Sequence, residues 1–408
     1  MKLEHPITVG TAEFNADQHS YYDWMRREAP VYRGRLALRP PGQDVYFISR
    51  YRDCLNLVTD PRIRRVLDGA ADDTSVVPEA IRLLTTDTMV YRDDPSHLRL
   101  RKLVSRPFTP RAIQGLRERI RTVARELLDG FEPGQRIELH QQYALPAPTT
   151  VISEMVGVSS EDRPIFYSFI EQLFEAMLNH NAAGAGEQME GFVAYLREMV
   201  ERRRADPGQD IITTLITARE DHLGRPDRLT DDEVIAMVFL LITGDYQTTP
   251  NVIANGIAAL LTHPDQLGLL RKHPELIGSA VEEILRYSGT VGGTEATTFA
   301  GQDITLHGVT IPRGAMVTTL LTSANRDPAQ FPDPDRFDIT RSPNDHLAFS
   351  RGTHFCLGSH LARLETGIII GELINRFPDL RLAVAPEELR LQPIPLLNRF
   401  EEVPVILG

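Results

Sequence analysis

Cysteine is scarce in this chain: of 408 residues, only Cys54 and Cys356 carry thiols. Two thiols cannot make a disulfide framework, and the paired spacings of zinc sites are missing. Basic residues are outnumbered, 44 Lys and Arg against 56 Asp and Glu, which leaves a net charge of −12 and excludes nucleic acid as the main partner. No stretch reaches the roughly 18 apolar residues of a membrane span. Met1 to Tyr22 is polar and has no apolar core of the signal-peptide kind. Internal repeats and low-complexity linkers are missing as well, so residues 1–408 are expected to form one domain. These absences describe a soluble, cytoplasmic protein without a membrane anchor. What the chain does have is apolar content, 42% of residues, sufficient for a large core.

Asp17 to Glu28 is expected as a short amphipathic helix. Strands Val31 to Ala37 and Asp44 to Ser49 follow around the Pro40-Pro41-Gly42 turn. Tyr51 to Val58 returns to helix, and its Cys54 shares an apolar face with Leu55 and Val58, the setting of a buried structural thiol. Ile63 to Asp94 lacks a firm period and is expected as loop with a short helix. In the helix that follows, Asp94 or Ser96 caps, and His97 and Arg101 share a face at i and i+4. Such a pair suits two carboxylates, or a solvated basic face. Glu161 to Leu178 and Gln188 to Arg204 are helices joined by Asn179 to Gly186, a small Gly-bearing link that favours mobility.

The longest apolar run, Val234 to Leu261, opens on the capping box Thr230-Asp231-Asp232-Glu233. A run apolar on all sides marks a helix buried in a large core. Gly244, the Thr248-Thr249 pair and Pro250 weaken that helix at one place. Glu283 and Arg286 share a face at i and i+3. The Gly292-Gly293 pair reads as room or mobility. Strands are expected from Ile304 to Thr319 about Pro312-Arg313-Gly314, and again from Asp379 to Gly408.

Cys356 lies in Phe349-Ser350-Arg351-Gly352-Thr353-His354-Phe355-Cys356-Leu357-Gly358, just ahead of an apolar helical run from Leu357 to Phe377. A thiolate there feels the helix dipole and free backbone N–H groups. Gly352 and Gly358 let the backbone pass close to a large flat object. The residues alone leave three readings: an axial ligand to haem iron, a nucleophile, or a small buried hydrophobe.

The stretch resembles the haem-binding signature of the cytochrome P450 family, with Phe349, Gly352, His354, Cys356 and Gly358 in order. Ser350 stands where Gly is commoner. The resemblance implies a mainly α fold, a helical triangular prism with a small β-rich lobe, and haem b with its iron held by Cys356. It implies cofactor contacts at His97, Arg101, Phe349, Gly352, His354, Gly358 and Gly244, with His97 and Arg101 on the propionates. Arg99 and Lys102 then form part of a basic patch for an acidic electron donor. Glu283, Arg286 and Arg336 become a structural brace.

The pattern of the family's oxygen-binding helix is met by Gly244 and by Thr248-Thr249, which makes Thr248 the catalytic hydroxyl. Gln247 replaces the expected acid and cannot supply a titrating proton. Asp245, standing where a second Gly is expected, is the substitute carboxylate. An Arg expected between Arg286 and Arg313 is missing, and Thr298 takes its register. Met89, Leu240, Val291, Gly292, Gly293, Leu396 and Leu397 are substrate-pocket candidates, with Val66, Val77 and Leu83 as weaker ones. The implied function is a haem-thiolate monooxygenase that hydroxylates a small, mostly apolar natural product. It would use dioxygen and electrons from a ferredoxin and its reductase. Coupling, epoxidation, nitration or peroxide-driven turnover are alternatives, and a non-enzymatic haem sensor is the remote one.

Overall fold

Asp44–Ile48 reads Asp-Val-Tyr-Phe-Ile, and its side chains alternate between two apolar clusters as a pleated strand requires. Val45 and Phe47 pack with Ile7, Phe14, Tyr22 and Met25. Tyr46 and Ile48 pack with Leu321, Phe331 and Leu347 on the other side. Burial on both faces explains an apolar run with no polar alternation. The computed structural model describes residues 6–37, 39, 42–67, 80, 82–83, 88–178, 182–218, 220–222, 225–294 and 298–408. They group into two compact units. One comprises Met1–Leu67, Leu116–Pro148 and Gln247–Gly408, and the other Asp68–Gly115 and Thr149–Tyr246.

The first unit carries a six-stranded sheet in the order Thr8–Val9, Val31–Leu36, Asp44–Ile48, Met316–Thr319, Phe299–Ala300, Ile63–Arg64. Val31–Leu36 and Asp44–Ile48 pair antiparallel as expected; Pro40 and Pro41 of the turn lie outside the described residues. Cys54 is fully buried and its thiol donates to the Ile48 carbonyl at 3.2 Å. Burial first, then the nearby Asp53 charge, push that thiol far up, so it is a structural group. Thr249–Thr262 packs on Ile277–Ser288 and on Ser359–Arg376, and the last of these also packs on Arg117–Leu128. The expected Ile304–Thr319 strands divide. Ile304–Leu306 and Val309–Ile311 form a hairpin through His307 and Gly308, both at positive φ, while Met316–Thr319 joins the large sheet.

The second unit is helical around an aromatic cluster. Phe192, on Ala182–Ala205, has its ring centroid 5.5 Å from Phe166, 5.6 Å from Phe169 and 5.9 Å from Phe239. Ala182–Ala205 begins inside the segment expected as a link. Alanines at 182, 183 and 185 are the best helix formers and are compatible with a helix start there, although Gly184 and Gly186 weaken it.

The long apolar run is two helices, Asp231–Tyr246 and Thr249–Thr262, broken at Gln247 and Thr248. The break falls where Gly244, the threonine pair and Pro250 weakened the pattern. Thr243 Oγ1 donates back to the Phe239 carbonyl at 2.9 Å, the contact that competes with regular helix pairing. The capping box is formed: Glu233 N–H donates to Thr230 Oγ1 at 3.2 Å, and Thr230 N–H donates to Glu233 Oε2 at 2.8 Å. Among the described residues, no helix is long and apolar enough to cross a membrane.

Replacing Thr230 by Ala removes one half of this box and should cost about 1 kcal/mol, read from the urea midpoint; Thr230→Asp should retain most of it.

Candidate active site

Two left-handed residues shape the turn around Cys356. Ser350 has φ 58° and Gly352 has φ 75°. That conformation disfavours a side chain, which is why Gly would suit position 350 better than Ser. Ser350 N–H donates to the Leu347 carbonyl at 2.8 Å, and Cys356 N–H donates to the Phe349 carbonyl at 3.0 Å. Phe355 N–H closes on the Gly352 carbonyl at 3.1 Å, with His354 half-buried in the turn between. Cys356 makes no disulfide, and the helix Ser359–Arg376 starts just beyond it with Gly358 at its N-cap.

The two glycines differ. A Cβ at Gly352 would stand 3.2 Å from the Val58 carbonyl, so its glycine answers the turn and a close neighbouring backbone. A Cβ at Gly358 would meet nothing within 4 Å.

The segment leading into this turn is wrapped around a buried ion pair. Arg286 Nε donates to Glu283 Oε2 and its Nη2 to Oε1, both at 2.8 Å, with both side chains fully buried. Arg286 also donates to the carbonyls of Asn325, Pro334 and Arg336. The third member expected here was Arg336, and that assignment is corrected. Arg336 contributes its carbonyl, while its side chain is 65% exposed beside Asp338. Arg341 takes the place instead: its Nε lies 3.3 Å from Glu283, at 10% exposure. Asn344 Nδ2 and Asp338 N–H complete the carboxylate's partners at 3.1 and 2.8 Å.

At the helix break, Asn251 Nδ2 donates to the Gln247 carbonyl at 2.7 Å, and Thr290 Oγ1 to the Thr248 carbonyl at 3.4 Å. The second contact ties the break to the segment holding Gly292 and Gly293. These glycines were expected to give room or mobility, and the structure corrects this. Both are buried. Gly292 N–H donates to the Leu396 carbonyl at 2.8 Å, and its own carbonyl accepts from Thr322 N–H at 3.1 Å. A Cβ at Gly293 would stand 2.8 Å from the Thr319 carbonyl, so these glycines serve close approach. Val291 and Leu397 form an antiparallel bridge, and Leu396 is held at φ 59°. Thr298, in the register of the missing Arg, directs its hydroxyl to the Val317 carbonyl.

Two residues that join these segments were not singled out in advance. Asn255 Nδ2 donates to the Ser288 and Asn398 carbonyls at 3.2 and 2.9 Å. Asn398 Nδ2 donates to the Gly289 carbonyl at 2.8 Å and to Thr322 Oγ1 at 2.9 Å. The signal was present: Asn251 and Asn255 stand four apart in an otherwise apolar helix, where a buried amide must find partners. His140, also buried, lies against Asn251.

In the second unit, His97 and Arg101 lie on Ser96–Val104. His97 is buried with Nδ1 3.3 Å from Asp94 Oδ1, which also accepts Leu98 N–H at 3.1 Å; Asp94, not Ser96, serves the helix start. Arg99, expected in a basic patch, donates to Glu233 at 2.6 Å and to the Arg228 carbonyl at 2.8 Å. Lys102 is exposed. Asp245 is buried on Asp231–Tyr246, whereas Gly244 is exposed with nothing within 4 Å of a Cβ. Met89 and Leu83 are buried, Leu240 is half-buried and Val66 is exposed. Val77 lies outside the described residues.

The family model "Cytochrome P450" matches residues 133–381. The chain is 40% identical to cytochrome P450 107B1 of Saccharopolyspora erythraea, over 97% of this chain and 96% of that protein. It is 38% identical to the vitamin D(3) 25-hydroxylase of Pseudonocardia autotrophica, over 99% and 97%. The solved structure of the Bacillus subtilis bacillaene polyketide synthase cytochrome P450 PksS is similar at TM-score 0.90 and 36% identity, covering all of both chains.

Arg341→Met should destabilise the protein by about 2 kcal/mol or more, because it removes hydrogen bonds to a buried carboxylate. Arg336→Met should stay within about 0.5 kcal/mol, as an exposed substitution does. Paired urea titrations decide between them. A second expectation concerns acid. Burial, reinforced by the Arg399 guanidinium, lowers His140 to about 4. An unfolded histidine titrates near 6.5, so between those values the unfolded chain binds the extra proton. The stability that His140 contributes is therefore complete above about pH 6.5 and lost toward pH 4. The stability gap between wild type and His140→Gln should shift over that window by on the order of 3 kcal/mol.

Proposed function

As this chain belongs to the cytochrome P450 family and is one of its monooxygenases, we propose that it hydroxylates a small, mostly apolar natural product. Dioxygen is the oxidant, and a ferredoxin served by a ferredoxin reductase is the electron donor. The family requires a redox partner and a small-molecule substrate; the choice of ferredoxin is our reading. Relatives named for vitamin D(3) hydroxylation and for a polyketide synthase support the substrate class.

The observation that carries the reading is the Cys356 turn: a thiol outside any disulfide, on a hydrogen-bonded loop, immediately before a long helix. The residues fit the family's haem. Gly358 leaves space a Cβ would enter, and a thiol ahead of a helix N-terminus favours the anion that binds iron. Bound haem b would supply redox-active iron, with a thiolate ligand favouring O–O cleavage. Cys356 would hold the iron, and His97 and Arg101 would take the propionates. Phe349, Gly352 and His354 would hold the loop around it.

Thr248 would orient the proton that reaches oxygen, its backbone pinned by Thr290. Gln247 orients water and gives no titrating proton, and Asp245 is the nearby carboxyl in sequence that can. This altered pairing of acid and hydroxyl is the specific observation that favours the second reading, an outcome such as coupling, epoxidation or nitration. Met89, Leu240, Val291 and the Leu396-Leu397 pair would select the substrate, with Gly292 letting the Leu396 backbone come close and Gly293 the Thr319 carbonyl.

The reduced carbon-monoxide complex of the wild type should give the thiolate-type Soret band, and Cys356→Ser should not. Thr248→Ala should keep that band and the rate of electron uptake while product falls and hydrogen peroxide rises. Retention of the band in Cys356→Ser would refute the ligand assignment. Unchanged product per electron pair in Thr248→Ala would refute the role of the hydroxyl.

A further inference from the structure

The helix Ile277–Ser288 carries two adjacent carboxylates, Glu282 and Glu283, and Glu283 is the one paired with Arg286. Glu282 gathers a separate set. Arg363 Nε donates to Glu282 Oε1 at 2.6 Å and Nη2 to Oε2 at 2.9 Å, while His346 Nε2 lies 3.0 Å from Oε2. Ala348 N–H donates to His346 Nδ1 at 3.2 Å. With Nδ1 accepting, Nε2 carries the proton and donates to the carboxylate, so the neutral imidazole is held in one tautomer. Burial works to raise the Glu282 carboxyl, but hydrogen bonds from His346 and Arg363 outweigh it and hold it at about 2. Glu282 is thus an anion throughout the neutral range.

The fixed Arg363 guanidinium stands 4.5 Å from the centre of the Phe349 ring, and the His346 ring stands 6.2 Å from it. Phe349 is the residue whose carbonyl receives the Cys356 N–H. The connection from Glu282 to the cysteine is therefore short: carboxylate, guanidinium, aromatic ring, then a backbone hydrogen bond. Glu282 and Arg363 are about one third exposed, where an ion pair contributes little to stability by itself. The geometry is nonetheless specific. Both carboxylate oxygens are engaged by the guanidinium fork, and the cation lies over an aromatic ring.

We propose that Glu282, His346 and Arg363 form a clamp that sets the Phe349–Cys356 turn and so keeps the Cys356 sulfur in its ligating, thiolate form. The proposal rests on Cys356 being the haem ligand. The three are positioning residues, acting through Phe349. The neighbouring glutamates divide the approach to the turn between them. Glu283 holds Asp338, Arg341 and Asn344, and Glu282 holds His346.

The test uses the full-length, haem-loaded protein and follows conversion of the thiolate-type to the thiol-type Soret band in the reduced carbon-monoxide complex, with the thermal midpoint recorded in parallel. Arg363→Met and Glu282→Gln should convert several-fold faster than wild type. His346→Gln should convert faster too, and Arg363→Lys should fall between Arg363→Met and wild type. Arg376→Met, in the same helix and paired with the exposed Asp129, should convert at the wild-type rate. If Arg363→Met takes up no haem, the isosteric Glu282→Gln decides by the same measurement. Variants that lower the midpoint but convert at the wild-type rate would show a purely structural cluster and overturn the clamp. If the wild type itself lacks the thiolate-type band, the ligand reading fails and the clamp with it. If the wild type has the band and the variants keep it as long, the clamp alone fails.

Discussion

The buried pair Glu283–Arg286 is the constraint to which the rest of the first unit is fitted. Neither charge reaches water, and an unpaired ion at such depth would cost several kcal/mol. Every remaining donor on Arg286 must therefore find a carbonyl, and every lone pair on Glu283 a donor. That requirement fixes the backbone carbonyls of Asn325, Pro334 and Arg336 on one side, and on the other the backbone N–H of Asp338 with the side chains of Arg341 and Asn344. Shortly after Asn344 the chain enters the Cys356 turn at Phe349. The position of the cysteine is thus inherited from an ion pair that does no chemistry.

Much of this was legible because its information is local. The capping box and the pair Glu283 with Arg286 each depend on spacing within one helix, and such spacing carries into three dimensions unchanged. The Cys356 turn is contiguous in sequence, so its glycines and cysteine could be read as a unit. The helix break was visible because Gly244, Thr248, Thr249 and Pro250 each weaken the same few residues.

Partner choice across the chain was not legible. Arg336 and Arg341 lie in the same loop, and only the folded path decides which side chain turns inward. The glycine pair failed for a similar reason. A missing Cβ signals either space or a close neighbour, and Gly292-Gly293 met Leu396 and Thr319, both well removed in sequence. The two units could not be found as a linker, because the chain passes between them repeatedly and no segment of distinct composition marks a crossing.

The two sides of the first unit's functional segments are built on different principles. The Cys356 turn is secured by ionised groups: Glu283 with its arginines and Glu282 with Arg363. The helix break is secured by neutral amides and hydroxyls: Asn251 on Gln247, Thr290 on Thr248, and Asn255 and Asn398 on the Ser288–Gly292 segment. On the proposed reading of Cys356 as the iron ligand, fixed charges suit a group that has to remain an anion, because they set a constant electrostatic environment without moving. On the proposed role of Thr248 in orienting a proton, neutral donors and acceptors suit the break, because they can exchange partners without creating a buried charge. Gln247 in place of an acid extends that neutral set by one more group. The substitution that looked anomalous as an isolated residue is consistent with the polar surroundings in which it is placed.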